Sequence, residues 1–116
     1  MNPLDYSLCN QTVTVYRKKG NEIIRQEILS CHYAWQEDQQ EDETGIYRQT
    51  KCLMIVPGEQ QSVFIGDRVY DGVGPQIGLA DWATFIPVLV PGLTQINYVA
   101  PYYWGDTLCH WEAGRK

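Results

Sequence analysis

The sequence lacks a long apolar run and lacks an excess of positive charge, and each absence excludes a class of protein. Its longest apolar stretch, residues 85–90, is too short to cross a bilayer and is interrupted by Pro87. The chain carries 14 acidic and 9 basic residues, for a formal net charge of −5. Nucleic-acid-binding domains are usually basic. We therefore expect no membrane partner and no sequence-specific binding of nucleic acid.

Export signals and paired cysteine spacings are also missing. The first six residues show neither the basic nor the apolar segment of a signal peptide. The four cysteines are irregularly spaced, which favours free thiols in a reducing compartment over a disulfide framework. With 116 residues, of which 44% are apolar, the chain is long enough for one globular domain, residues 1–116. We expect it to be soluble and made in a cytoplasm.

The pattern of β-branched residues, glycines and prolines predicts an all-β protein, a small barrel or sandwich of antiparallel hairpins. Helix should be limited to one or two short turns and less than roughly a fifth of the residues. One such turn is expected at residues 81–85, capped by Asp81. A helix at residues 22–29 is the minority alternative, and the role of residues 75–92 stays open. The strands are predicted at 12–17, 22–35, 46–56, 63–65, 68–70, 95–99, 102–104 and 107–112.

Turn residues and proline place the connections between these strands. A four-residue turn is predicted at 18–21, and tight hairpin turns with glycine leading are predicted at Gly66-Asp67 and Gly105-Asp106. Pro87 and Pro91 confine the segment between them to a sheet edge or a connection.

Residues 36–44 contain five acids and no base: Glu37, Asp38, Glu41, Asp42 and Glu43. Calcium loops concentrate carboxylates, but this run lacks the alternate ligand spacing and the central glycine of an EF-hand. A solvated, mobile loop that orders against a neighbouring chain is the preferred interpretation.

Two short echoes, Cys31-His32 and Cys109-His110, resemble metal or nucleophile motifs. Neighbouring residues in a strand point to opposite faces, so neither pair can easily bind one ion. A site shared between the echoes, for instance Cys31 with His110, would require the two strands to be neighbours. We therefore predict buried cysteines beside half-exposed histidines, with no catalytic residues, no metal and no cofactor. The alternative is a small β-barrel metal- or ligand-binding enzyme that uses these four residues.

Aromatic residues crowd the last third of the chain. Some must fill the core of so small a domain, but three consecutive rings in extended sequence cannot all face inward. Tyr and Trp are also the residues that anchor protein interfaces. The sequence therefore predicts an interface formed by Tyr102, Tyr103, Trp104, Trp82 and Tyr98.

The order of motifs resembles a family of small prophage proteins. The carrying elements are the opening T-V-T-V-Y-R strand at 12–17, the Cys31–Trp35 echo, Gly66-Asp67-Arg68-Val69-Tyr70, and above all the terminal His-Trp-x-x-Gly-x-Lys that starts at His110. The Gly-Asp-x-Val element is also similar to the β-barrel stopper proteins of tailed phages. The segment 75–92 departs from the pattern, and no catalytic residue carries over.

The resemblance implies a virion structural protein rather than an enzyme. It would act in the head–tail joining region, or as a minor capsid or tail component, through contacts with other virion structural proteins. A homo-oligomeric ring in the particle is the expected assembly. The expected location is the virion, after synthesis in the bacterial cytoplasm.

Overall fold

Seven strands form one antiparallel sheet. The computed structural model describes residues 4–42 and 45–115, with side chains at 4–35 and 51–115. Strand accounts for 55% of the structure and helix for 6%, which confirms the all-β prediction. Across the sheet the strand order is β5-β4-β1-β2-β3-β7-β6. The elements are β1 (Gln11–Lys19), β2 (Glu22–Asp42), β3 (Gly45–Pro57), β4 (Arg68–Asp71), a 3₁₀ helix (Leu79–Thr84), β5 (Leu93–Gln95), β6 (Tyr98–Trp104) and β7 (Thr107–Arg115).

The opening hairpin joins β1 to β2. Alternation of Val13 and Val15 with threonines suits a strand, and both valines are buried. The turn is shorter than predicted: the pairing Lys19↔Glu22 leaves only Gly20 and Asn21 between the strands. Gly20 has φ 61°, the left-handed backbone that a tight hairpin needs. The helix alternative at 22–29 is wrong, since these residues are extended and paired with β1.

β2 changes partners in the middle, and this change curls the sheet. Its first part pairs with β1 as far as Cys31, and its second part pairs with β3 from His32 onward. Ser30 lies just before this change, in the bulge where the β1–β2 register shifts. It has φ 60° and is the one non-glycine residue with positive φ among the described residues. A residue of this kind bends a strand locally. The result is a curled, half-barrel sheet.

The curl brings the two edge strands together at one corner. β5 and β6 lie at opposite ends of the strand order, yet only Ile96 and Asn97 separate them in sequence. The backbone N–H of Ile96 donates to the carbonyl of Asp67 (2.8 Å), and that of Asn97 donates to the carbonyl of Gly114 (2.9 Å). The predicted single strand at 95–99 is therefore wrong, because the chain crosses from one edge to the other at these two residues.

Apolar side chains pack on both faces of the first part of the sheet. The main core lies inside the curl and includes Val13, Tyr33, Met54 and Val69. A second cluster around Tyr16 and the residues of 77–93 covers another part of the sheet. The sequence left the role of the segment 75–92 open; in the structure it contributes apolar side chains to this second cluster. The second cluster consists of Tyr16, Phe85, Leu93, Ile23, Tyr70, Ile77, Trp82 and Val90.

The 3₁₀ helix confirms the predicted helical turn but not its cap. It begins at Leu79, and Asp81 lies inside it, where its carboxylate accepts the N–H of Gly78 at 3.0 Å. Pro87 and Pro91 lie in the connection that follows, as predicted.

The predicted hairpin at Gly66-Asp67 is wrong. Gly66 does turn the chain with φ 96°, but β4 pairs with β1 and β5 rather than with residues 63–65. Asp67 is 2% exposed and forms an ion pair of 2.6 Å with Arg17 on β1. It also accepts the backbone N–H of Phe64 at 2.9 Å. The carboxylate that looked like a turn residue is a buried anchor between distant parts of the chain.

The prediction of an acidic loop at 36–44 is also wrong over the residues that the structure describes. Residues 36–42 are extended and belong to β2, and they pair with β3 down to Asp42↔Gly45; residues 43 and 44 lie outside the described residues. A paired partner strand satisfies the backbone groups that a loop would leave to water. We call the stretches 36–42 and 45–51 together the ribbon.

Candidate interface at the aromatic end of the sheet

The hairpin of β6 and β7 carries the predicted aromatic residues. Gly105 supplies the positive φ (58°) at its turn, and Trp104↔Thr107 is the last pair before it. β6 is the last strand of the sheet and pairs only with β7 among the described strands. Tyr102 is 39% exposed, Tyr103 55% and Trp104 59%. We call these three residues the aromatic end.

The other two predicted interface residues are held by neighbours inside the molecule. Trp82 is half-buried in the second apolar cluster, where the guanidinium of Arg68 lies 3.7 Å from the centre of its ring. Tyr98 is half-buried, and its hydroxyl donates to Glu112 Oε2 at 3.2 Å. The structure therefore leaves Tyr102, Tyr103 and Trp104 exposed on one strand, and it places Trp82 in the packing around the 3₁₀ helix.

A buried histidine orients the first ring of the aromatic end. Tyr102 stacks on His110, with ring centroids 4.6 Å apart and an angle of 7° between the planes. His110 is 5% exposed, so the prediction of a half-exposed histidine is wrong here. Both ring nitrogens of His110 also have polar neighbours: the Tyr6 hydroxyl lies 2.6 Å from Nδ1, and Glu112 Oε1 lies 3.4 Å from Nε2. The stack fixes the orientation of the Tyr102 ring.

Sequence reasoning missed Tyr6. It lies 104 positions before His110, and an isolated tyrosine near the start of a chain carries no signal of such a contact. The rings of Tyr6 and His110 form a T-shaped contact, with centroids 5.5 Å apart and an angle of 86° between the planes. This contact attaches the first described residues to the last strand.

Burial disfavours the thiolate form at two of the described cysteines. All four cysteines are free; Cys31, Cys52 and Cys109 are buried and Cys9 is partly buried. Burial raises the pKa of the Cys31 thiol to about 11 and also raises the pKa of Cys52. The thiolate is the reactive form, and these environments disfavour it.

The two Cys-His echoes lie on strands that are not neighbours in the sheet, since β3 separates β2 from β7. Cys31 is fully buried, whereas His32 beside it is partly exposed. Among the described side chains, at 4–35 and 51–115, no three His, Cys, Asp or Glu come close enough to hold a metal ion. His110 instead contacts Tyr6, Tyr102 and Glu112.

The ribbon and the aromatic end lie at opposite ends of the sheet. β3 runs from the ribbon tip at Gly45 to Pro57, and Pro57 pairs with His110. β7 begins three residues earlier, at Thr107, so the β6–β7 turn extends beyond the Pro57 end of β3. The molecule thus presents two different surfaces at its two ends.

Among the described residues, no helix is long and apolar enough to span a membrane.

Comparison with known proteins found no relative of this chain. It matches no family model, no curated protein and no solved structure.

Proposed function

We propose that this chain is a structural protein of a phage or prophage virion. It acts as a head–tail connector or as a minor capsid or tail component, is made in the bacterial cytoplasm, and works through contacts with other virion proteins. The observation that carries the proposal is the aromatic end, where three consecutive large rings are exposed on an edge strand. The resemblance of the sequence motifs to prophage proteins supplies the context.

The aromatic end has the properties of a protein interface. Several large exposed rings on one short segment are more typical of an interface than of the rest of a protein surface. Tyr and Trp dominate the residues that carry binding free energy, because each ring buries a large area and loses few rotamers. The stack of Tyr102 on His110 keeps one ring in place, which reduces the entropy lost on binding.

Docking at this surface uses side chains rather than strand addition. Pro101 lies in the middle of β6 and has no N–H to donate. Proline in an edge strand blocks the pairing of another strand. The pairing of β6 with β7 is also irregular between Tyr102 and Tyr103. A partner would therefore receive the rings in a pocket of its own.

Replacement of the exposed rings tests the proposal. We expect Tyr103→Ala and Trp104→Ala each to weaken incorporation into induced particles, by about 1–3 kcal/mol of binding free energy where the ring is a hot spot. Incorporation is measured by the amount of the chain in purified particles and by the fraction of particles with joined heads and tails.

Val88→Ala is the matched control, since Val88 is an 89%-exposed apolar residue away from the aromatic end. It should leave incorporation unchanged, and all three variants should melt close to the parent temperature. Normal incorporation of both ring variants would contradict the proposed interface. A chain absent from particles altogether, with no portal, capsid or tail-tube genes beside its own, would contradict the virion role.

A further inference from the structure

Beyond the sheet, the ribbon has free backbone on both of its outer sides. Pairing of β1 with β2 ends at Gln11↔Cys31, and pairing of β7 with β3 ends at Cys52↔Arg115. Past these points, in the part of the chain that the structure describes, residues 36–42 and 45–50 have strand partners only in each other. At about 3.4 Å per residue, these two stretches offer roughly 20–24 Å of outer strand edge.

Such a ribbon needs a partner for its backbone. A two-stranded hairpin alone is marginal in water, and unpaired edges recruit further strands. The other two edges of the sheet are poor recruiters, because β5 has three residues and β6 contains Pro101. No proline lies in residues 36–51.

The two stretches of the ribbon carry opposite charge. Residues 36–42 contain four acids and no base, a charge of −4, and residues 45–51 contain Arg48, Lys51 and no acid, a charge of +2. Pairing of two β2 edges would place acid against acid, which disfavours a symmetric dimer through that edge. Pairing of the β3 edge of one copy with the β2 edge of another places base against acid.

We propose that the ribbon is the contact between copies of this chain, with the β3 edge of each ribbon paired to the β2 edge of the next. Within a ribbon β2 and β3 are antiparallel, so ribbons that point the same way continue the antiparallel pattern. The contact is head-to-tail, and such contacts generate rings when the rotation closes. The ring becomes a barrel of ribbons in which acidic and basic strands alternate. This inference rests on the proposed assembly role and supplies its second partner.

A charge-swapped variant tests the contact without disrupting the ribbon itself. It combines Glu37→Lys, Asp38→Lys, Glu41→Lys and Asp42→Lys with Arg48→Glu and Lys51→Glu. Each strand still faces opposite charge inside its own ribbon, and each copy still complements its own kind. A variant with only the two changes in β3 has acid on both edges and serves as the disrupted form.

The readout is sedimentation velocity and native mass spectrometry at low salt. We expect the parent and the fully swapped chain each to form oligomers, and the β3-only variant to stay monomeric. In a mixture of parent and swapped chains we expect self-sorting, with mixed contacts at least about tenfold below the statistical share, because several like charges would oppose each other.

Three results would overturn the inference. They are a parent that stays monomeric at all concentrations, statistical mixing of parent and swapped chains, and preferential formation of mixed dimers, which would indicate symmetric β2–β2 pairing. Any of these leaves the proposed function intact if the aromatic end still governs entry into particles. Conversely, self-sorting rings that never enter particles would uphold the ribbon contact and contradict the virion role.

Discussion

At the scale of single residues, a glycine in the terminal motif has a steric reason. Gly114 lies in β7 where a Cβ atom would collide with the backbone carbonyl of Cys52 on β3. Backbone atoms of a central strand cannot move aside as a flexible side chain can. The most specific element of the resemblance, His-Trp-x-x-Gly, thus contains a position that only glycine fits.

We expect Gly114→Ala to lower the free energy of unfolding by about 2 kcal/mol or more, because β3 and β7 must separate to admit the methyl group. Urea denaturation followed by tryptophan fluorescence measures the change. Gly78→Ala is the control: its φ is −107° and the nearest atom to a new Cβ is a carboxylate oxygen at 3.9 Å. Equal stability of the two variants would show that the strands tolerate the separation.

Buried acids that ionise only at high pH give the stability an alkaline limit. Burial raises the pKa of Cys31 from 9.0 to about 11 and the pKa of Tyr33 from 10.0 to about 12. Both groups are neutral in the folded and unfolded states at neutral pH. As pH rises above 9 the unfolded thiol ionises first, which favours unfolding.

We therefore expect the free energy of unfolding to be constant near neutrality and to fall progressively between about pH 9 and 11. The slope from one thiol approaches about 1.4 kcal/mol per pH unit in that interval. Denaturation curves at pH 7.5 and 10.5 measure the loss. Cys31→Ala should shrink the difference between the two pH values, and an undiminished difference would assign the loss to other groups.

At the scale of elements, the bend in β2 depends on one strained residue. Ser30 adopts φ 60° in the bulge of the β1–β2 pairing, one residue before Cys31, the last residue of β2 that pairs with β1. The left-handed region costs an L-residue about 1–2 kcal/mol and costs glycine little. The sheet needs this bend to curl, so the strain persists.

We expect stability in the order Ser30→Gly, parent, Ser30→Val, with steps of about 0.5–2 kcal/mol, because glycine relieves the strain and a β-branched residue increases it. Thermal melts give the order. Leu29→Gly is the comparison at the neighbouring exposed position, which has no positive φ, and there glycine should destabilise. A destabilising Ser30→Gly would mean that the serine side chain contributes more than the strain it bears.

The same elements mark the limit of prediction from sequence. Local signals were sufficient for β1 with β2 and for β6 with β7, since Gly20 and Gly105 turn the chain between β-rich segments. They failed where a residue serves a distant partner. Asp67 looked like a turn residue, but Arg17, 50 positions earlier, holds it. Strand alternation predicted that the three rings of the aromatic end could not all face inward, and the structure goes further by exposing all three. The support of Tyr102 by His110 and Tyr6 could come only from the folded chain.

At the scale of the whole molecule, the two proposed contacts use different surfaces and would serve two kinds of partner. The aromatic end offers large exposed side chains on a strand whose proline prevents pairing with a further strand. This arrangement suits docking with a different protein. The ribbon offers strand edges that contain no proline, with one acidic and one basic strand. This arrangement suits pairing with further copies of the same chain. Because the surfaces lie at opposite ends of β3, neither contact obstructs the other.

The two-residue crossing at Ile96 and Asn97 also governs how the chain reaches this shape. The edges it joins, β5 and β6, are built on β4 and β7, and these strands pair with β1 and β3 from far along the sequence. Hairpins such as β1–β2 close within microseconds, while such distant pairings require long loops to be ordered first. The crossing can take its final position only after both halves of the sheet exist. We therefore expect closure of the curl to be a late step of folding, and until then the inner core faces water.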